Sequence, residues 1–322
     1  MSTLKDVAER AGVTVTTVSR VINERGYISE KTRKRVHDAM REIGYRPNEV
    51  ARSLSRKNSN VIGVITPQID HPYYSKLVGE IEAQAAGEKC KIILCCTNNG
   101  ARHVSGLIEM FRADQALGAI LCGCLPETDG KKEAEFPVVM IGDAEGAGQC
   151  VVQCDDYEGG ALAAETLIKR GCRRLMYIGR DWKRDGIADM KQRGFTDRCD
   201  RCGAAYEIFT VDEEMHCAED ILLALRDESD TDGIFAGNDL IAAEALRACA
   251  ASGRTVPGDI KIIGFGDTGA ASLTIPPLSS VRQPLKEMAR LSVQNILKKR
   301  RGEVVPSRMV LPVDVVERET VE

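Results

Sequence analysis

Three groups of residues in this 322-residue sequence have types and spacings that could do chemistry. The first, Gly264-Phe265-Gly266-Asp267-Thr268-Gly269, follows the apolar run Lys261-Ile262-Ile263 and fits G-x-G-x-x-G, the pattern that cradles a dinucleotide pyrophosphate. That use requires a strand before, a helix after and an acidic residue about 20 positions on. The strand is present. The helix is not, because Gly269 leads to Ile275-Pro276-Pro277 and paired prolines stop a helix early. At the acidic position Glu287 opens a new helix instead of closing a strand. The second group is Cys199-x-x-Cys202 with His216 and Cys217 downstream; zinc needs a second matched pair, and Asp-Arg-Cys-Asp-Arg-Cys-Gly reads as a helix end. The third is the four histidines, His37, His71, His103 and His216, which form no catalytic arrangement, and no G-x-S-x-G occurs. The expectation is a protein that is not an enzyme, with no cofactor and no metal.

Composition points the same way. The chain is 43% hydrophobic with a net charge of −4, ordinary for a globular protein of two or three domains. Its twelve cysteines lie mostly in apolar strand-like runs such as IILCC and CVVQC, where a reduced thiol acts as a small hydrophobe. The first residues lack the apolar stretch of a signal peptide and no long uncharged run follows, so a cytoplasmic location without membrane contact is expected. Charge is segregated: residues 1–60 carry 13 Lys and Arg against 7 Asp and Glu, whereas residues 61–322 carry 31 against 41. A small basic module joined to a larger acidic one suggests a polyanion partner for the first.

In that first module Leu4, Val7, Ala8 and Ala11 share one helix face, and Gly12 ends the helix. Thr14 is a good N-cap for a second helix with Val15, Val18, Val21 and Ile22 on its apolar stripe. Two short helices about a glycine turn make a helix-turn-helix, whose second helix enters the DNA major groove with its N-terminal residues at base edges. A third helix, capped by Ser29, offers Val36, Ala39, Met40 and Ile43 to a small core. Beyond it Pro47 breaks the chain and Asn48 can cap a helix too short to be stable alone, one expected to fold only on a partner. Val15 suits either a base contact or the core, and Leu54, between Ser53 and Ser55, either a partner contact or packing. From Val61 onward apolar strands and helical stretches alternate, the pattern of parallel sheets covered by helices in two doubly wound halves.

LKDVAERAGVTVTTVSRVIN, ISEKTRKRV, IGYRPNEVARSL and NVIGVITP, in this order and without gaps, resemble the lactose/galactose repressor (LacI/GalR) family of bacterial transcription regulators. The resemblance runs to the chain end through FAGNDLIAAEALRACAASGRTVPGDIKIIGF and LPVDVVERET. It implies an all-α headpiece at 1–46, a hinge helix and linker at 47–58, and an α/β effector and dimerisation domain at 59–322 resembling periplasmic binding proteins. The subdomains implied are about 59–155 with 284–311 and about 156–283 with 312–322, with crossovers near Asp155, Gln283 and Pro312. The implied partners are operator DNA, a homodimer mate and a small-molecule effector, a carbohydrate foremost, with a nucleoside, purine or sugar acid as alternatives. For DNA the resemblance implicates Thr14, Val15, Thr16, Thr17, Ser19, Arg20 and Asn23, and in the hinge Asn48, Ala51 and Leu54, the leucine wedging a base step open. For effector it implicates Asp70, Tyr73, Tyr74, Asp143, Lys191, Asn238, Asp239, Gly266 and Asp267. Three positions depart from the family pattern: Lys191 stands for a usual arginine, and Gly142 and Gly266 for usual aspartates, with Asp143 and Asp267 adjacent to them. Lysine cannot grip two ligand atoms as the arginine fork does. Asn238 and Asp239 also suit helix capping, and Tyr73 simple packing.

Overall fold

A computed structural model describes residues 2–23, 26–45, 59–98, 103–123, 136–142, 150–180, 189–212, 216–228 and 230–322. Two compact units divide the chain at Ser59 and Asn60. The hinge candidates Asn48, Ala51 and Leu54, and the cleft candidate Asp143, lie outside the described residues.

The first unit holds α1 (Leu4–Ala11), α2 (Val15–Ile22) and α3 (Glu30–Glu42). Local signals set each boundary. Thr3 and Asp6 form a capping box at the start of α1, Gly12 ends it in the left-handed region at φ 61°, and Thr14 and Ser29 cap α2 and α3. Val7, Ala8, Ala11, Val18, Val21, Val36 and Ala39 form the buried core, with Met40 and Ile43 packed partly against it. Leu4, on the same face of α1, is 36% exposed.

The second unit contains two six-stranded sheets. The first has the order β11-β5-β4-β3-β1-β2, from β1 (Val61–Thr66), β2 (Lys91–Cys96), β3 (Gly118–Cys122), β4 (Val138–Ile141), β5 (Cys150–Cys154) and β11 (Arg308–Leu311), and every neighbouring pair is parallel. The second has the order β12-β10-β9-β8-β6-β7, from β6 (Arg174–Arg180), β7 (Ala205–Val211), β8 (Gly233–Ala236), β9 (Lys261–Gly266), β10 (Ser279–Arg282) and an antiparallel β12 (Asp314–Val316). The helices are α4 (Pro72–Gly87), α5 (Val104–Ala113), α6 (Asp156–Lys169), α7 (Met190–Cys202), α8 (Ala218–Asp227), α9 (Asp239–Ser252) and α10 (Leu285–Arg300). The chain passes between lobes after β5, after β10 and after β11, so each lobe is built from separate stretches. Nearly continuous burial of β1, β3, β4, β8 and β9 is what parallel strands covered on both faces require.

The closest helix packing is between α6 and α7. A Cβ on Gly160 would lie 2.0 Å from the Lys191 carbonyl, and one on Gly194 1.8 Å from the Tyr157 carbonyl. The helical glycines are therefore the contact itself, and either alanine would push the backbones apart.

Candidate DNA-reading helix and ligand cleft

In the headpiece, Thr14 Oγ1 accepts the Thr17 N–H at 3.2 Å and lies 2.9 Å from Thr17 Oγ1, so these two candidates fix the start of α2. Asn23 Nδ2 donates to Ser19 Oγ at 3.3 Å, pairing two more. The residues that project are Val15, 44% exposed, Thr16 and Arg20. Val15 lies outside the core, while Val18 and Val21 point into it. The sequence reading missed Arg35, which reaches from α3 to donate to the carbonyls of Ala11 at 2.5 Å and Gly12 at 3.3 Å. That arginine ties the turn between the first two helices to the third, and nothing beside Arg35, inside α3, signals it in the sequence.

In the body, the described cleft candidates fall into one group on each lobe. On the first lobe, His71 caps α4 by accepting the Tyr73 N–H on Nδ1 at 3.1 Å, a role its isolation in sequence did not suggest. Tyr73 and Tyr74 stack edge to face, 5.1 Å between centroids. Burial pushes the Tyr73 phenol well up, with Cys154, Tyr74, Cys122 and Asp156 adding to the effect, so the hydroxyl stays protonated and can donate. Cys122 and Cys154, last residues of β3 and β5, thus lie near the phenol, and neither was singled out from sequence. Asp70 is exposed, apart from this packed group.

On the second lobe Lys191 Nζ donates to the Gly237 carbonyl at 3.2 Å and sits 4.4 Å from the centre of the Phe265 ring. Its backbone is placed by Asp189, whose carboxylate caps α7 through the Lys191 and Gln192 N–H groups at 3.0 and 3.2 Å and also accepts the Tyr177 hydroxyl. Asn238 Oδ1 caps α9, accepting the Ile241 N–H at 2.8 Å.

The two aspartates there are committed to the fold. Asp239, 2% exposed, accepts the Ser280 hydroxyl at 2.6 Å, the Thr268 N–H at 2.6 Å and the Thr268 hydroxyl at 2.8 Å. Burial raises its carboxyl above the usual range despite those bonds. Asp267 accepts Arg282 Nε at 2.8 Å and an Arg318 guanidinium nitrogen at 2.6 Å. Burial opposes its ionisation, but the two arginines outweigh that and hold its carboxyl below the usual range.

This answers the glycine motif. A Cβ on Gly264 would lie 2.7 Å from Asp239 Oδ1, so that glycine makes room for a structural carboxylate. Gly266 has φ 124° and Asp267 φ 45°, a left-handed turn at the strand end. No helix follows: residues 269–273 form turns. Among the described residues no group of three or more His, Cys, Asp or Glu could hold a metal; Cys199 is buried and Cys202 exposed near the C-terminus of α7. Among the described residues no helix is long and apolar enough to cross a membrane.

A capped helix-turn-helix on a separate unit, followed by two parallel-sheet lobes with polar and aromatic residues at their strand ends, is the architecture of a DNA-binding regulator with a binding-protein-like body. Residues 3–48 match the bacterial regulatory proteins of the lacI family, and residues 164–321 the periplasmic binding protein-like domain. The chain is 34% identical over 322 residues to the sucrose operon repressor of Streptococcus mutans, covering 99% of both chains. It is 31% identical over 302 residues to the ribose operon repressor of Bacillus subtilis, 92% of this chain and 91% of that one. Its structure is similar to the lac repressor dimer bound to operator and the anti-inducer ONPF, with TM-score 0.85, 26% identity and 99% of both chains covered. The chain belongs to the LacI family, and is a DNA-binding transcription regulator.

Proposed function

We propose that this regulator represses a carbohydrate-utilisation operon as a homodimer, and that a small sugar or sugar derivative in the cleft controls its operator affinity. Full-length similarity to sucrose and ribose operon repressors carries this reading. In it, Val15, Thr16 and Arg20 read bases and phosphates, Thr14, Thr17, Ser19 and Asn23 hold the helix that presents them, and Asn48, Ala51 and Leu54 act in the hinge beside the mate. Leu54 wedges a central base step, which unstacks it in exchange for the contacts of a kinked duplex. The lobes are residues 59–155 with 284–311 and residues 156–283 with 312–322.

For the ligand, Tyr73 supplies an aromatic face and a protonated hydroxyl, and Lys191 and Asn238 supply donors, with Tyr74, Asp70 and Asp143 as further contacts. Asp239, Asp267 and Gly266 shape the second lobe's wall, with the two carboxylates committed inside the protein. The ligand acts only through a difference in affinity between DNA-competent and DNA-incompetent lobe arrangements. A melting-temperature screen with sucrose, ribose, sugar acids and purines tests the ligand class, since a native-state ligand raises the transition. A rise with a purine and none with any carbohydrate would replace the sugar in this reading.

A further inference from the structure

Donors and acceptors in the ligand cleft are unequally spent. Cys154, the last residue of β5, stands where the chain first crosses between lobes. Its sulfur accepts Gln283 Nε2, from the second crossing, at 3.0 Å, and its thiol donates to Asp156 Oδ1 at 3.2 Å. Side chains of both lobes act on it. Burial holds the thiol well up and Asp156 adds to that, the Lys191 ammonium opposes it, and the thiol in turn helps to raise the Tyr73 phenol. Tyr73 of the first lobe and Lys191 of the second therefore approach the same point of the cleft.

On the second lobe the acceptors described above are occupied by the protein itself. Asp239 takes three bonds from Ser280 and Thr268, and Asp267 takes two arginines. Asp189 gives Oδ1 to the first N–H groups of α7 and Oδ2 to the Tyr177 hydroxyl. Asn238 gives its amide oxygen to the Ile241 N–H, so what it can still offer is the Nδ2 donor. Beside it stands the cation Lys191, whose Nζ donates to the adjoining Gly237 carbonyl. A neutral sugar hydroxyl both gives and takes a hydrogen bond, and needs acceptors as much as donors. An ionised carboxylate or phosphate only accepts, through charge-assisted bonds about twice as strong as neutral ones.

We propose that the ligand of this cleft is an acidic sugar, a monosaccharide carrying a carboxylate or phosphate group, held with that group on Lys191 and Asn238 and with its ring against Tyr73. Lysine, a compact point charge, suits a single oxyanion group. The hydroxyls of the ring belong with Asp70 and Asp143. The proposal rests on the sugar reading above and narrows it to one charge class.

The test is calorimetry on the full-length protein with glucose, galactose and fructose, then glucuronate, galacturonate and the 6-phosphates of glucose and fructose, and adenine. The two acidic arms distinguish carboxylate from phosphate. At least one acidic sugar is expected to bind about tenfold more tightly than its neutral parent. Lys191→Gln is expected to abolish that preference and Lys191→Arg to keep it. Asn238→Asp, which retains a capping oxygen for α9 but puts a carboxylate where the donor stood, is expected to weaken the acidic sugar about tenfold. A neutral sugar bound as tightly as its acidic counterparts overturns the proposal and leaves the sugar reading standing. Binding of adenine alone, or of nothing in the panel, overturns both. If Lys191→Gln proves unstable, Asn238→Asp decides: acidic-sugar binding unchanged or tightened in that variant also overturns the proposal.

Discussion

The headpiece and the cleft use the same kinds of polar residue in opposite ways. On α2, Val15, Thr16 and Arg20 point outward from a helix whose own bonds are completed by Thr14, Ser19 and Asn23, so an exposed face remains. On the second lobe of the body, the carboxylates that look most like ligand contacts are turned inward, Asp239 onto Ser280 and Thr268, Asp267 onto two arginines. The difference teaches that residue type at a strand end does not fix function there. In the three-helix unit the capping partners are local, whereas at the ends of interior strands distant strands compete for the same side chain.

The largest effect that tests this contrast is expected from Asp267→Ala. It leaves Arg318 and Arg282 without their carboxylate, and because Arg282 is half exposed the loss is set at about 2 kcal/mol, below the 3–5 typical of a broken buried pair. Denaturant unfolding of the body reads it, while exchange of headpiece amides stays unchanged; a loss under about 0.5 kcal/mol would mean that the aspartate is free for ligand after all. Changing Val15 and Thr16 is expected to alter operator preference by about 1–3 kcal/mol per affected base with the unfolding midpoint unmoved. Competition between operator variants measures this, and uniform weakening across all sequences would deny them base reading. Thr14→Ala is expected to cost the headpiece about 1 kcal/mol through its lost cap, visible as faster amide exchange in α2 alone.

The smallest effect is a difference in pH dependence between the two aspartates. Asp267 has its carboxyl held low in the fold, so its stabilisation is present above the unfolded value and is lost as pH falls through the lower folded one. Asp239 has its carboxyl raised, so its ionised form weakens the fold above that raised value and the penalty fades as pH falls through it. Unfolding between about pH 3 and 6 of Asp267→Asn and Asp239→Asn is expected to show changed slopes of opposite sign; slopes of the same sign would contradict the assignment.

The parts legible in the sequence were those written locally. Thr14, Ser29 and Gly12 announced their caps within four residues, the β9 motif betrayed itself by the prolines after it, and the strand runs stood out by apolar content. Illegible parts depended on residues far apart. Nothing beside Asp267 points to Arg318, which arrives 51 positions later, or to Ser280 beneath Asp239, 41 positions away. Gly160 and Gly194 did carry a signal, since glycine inside a helix costs about 1 kcal/mol against alanine and such positions mark close packing. Without the partner helix that signal could not be read as the α6 and α7 crossing.

The central claim is that an outward-facing helix reads a duplex under control of the lobed body. Fluorescence anisotropy of labelled double-stranded DNA, from a pool of random and palindromic sites at low ionic strength, tests it most directly. The account predicts binding that favours a subset of sequences, falls steeply with added salt as phosphate contacts release counterions, and shifts when a carbohydrate raises the melting temperature. No binding to any duplex, with or without those sugars, would contradict it.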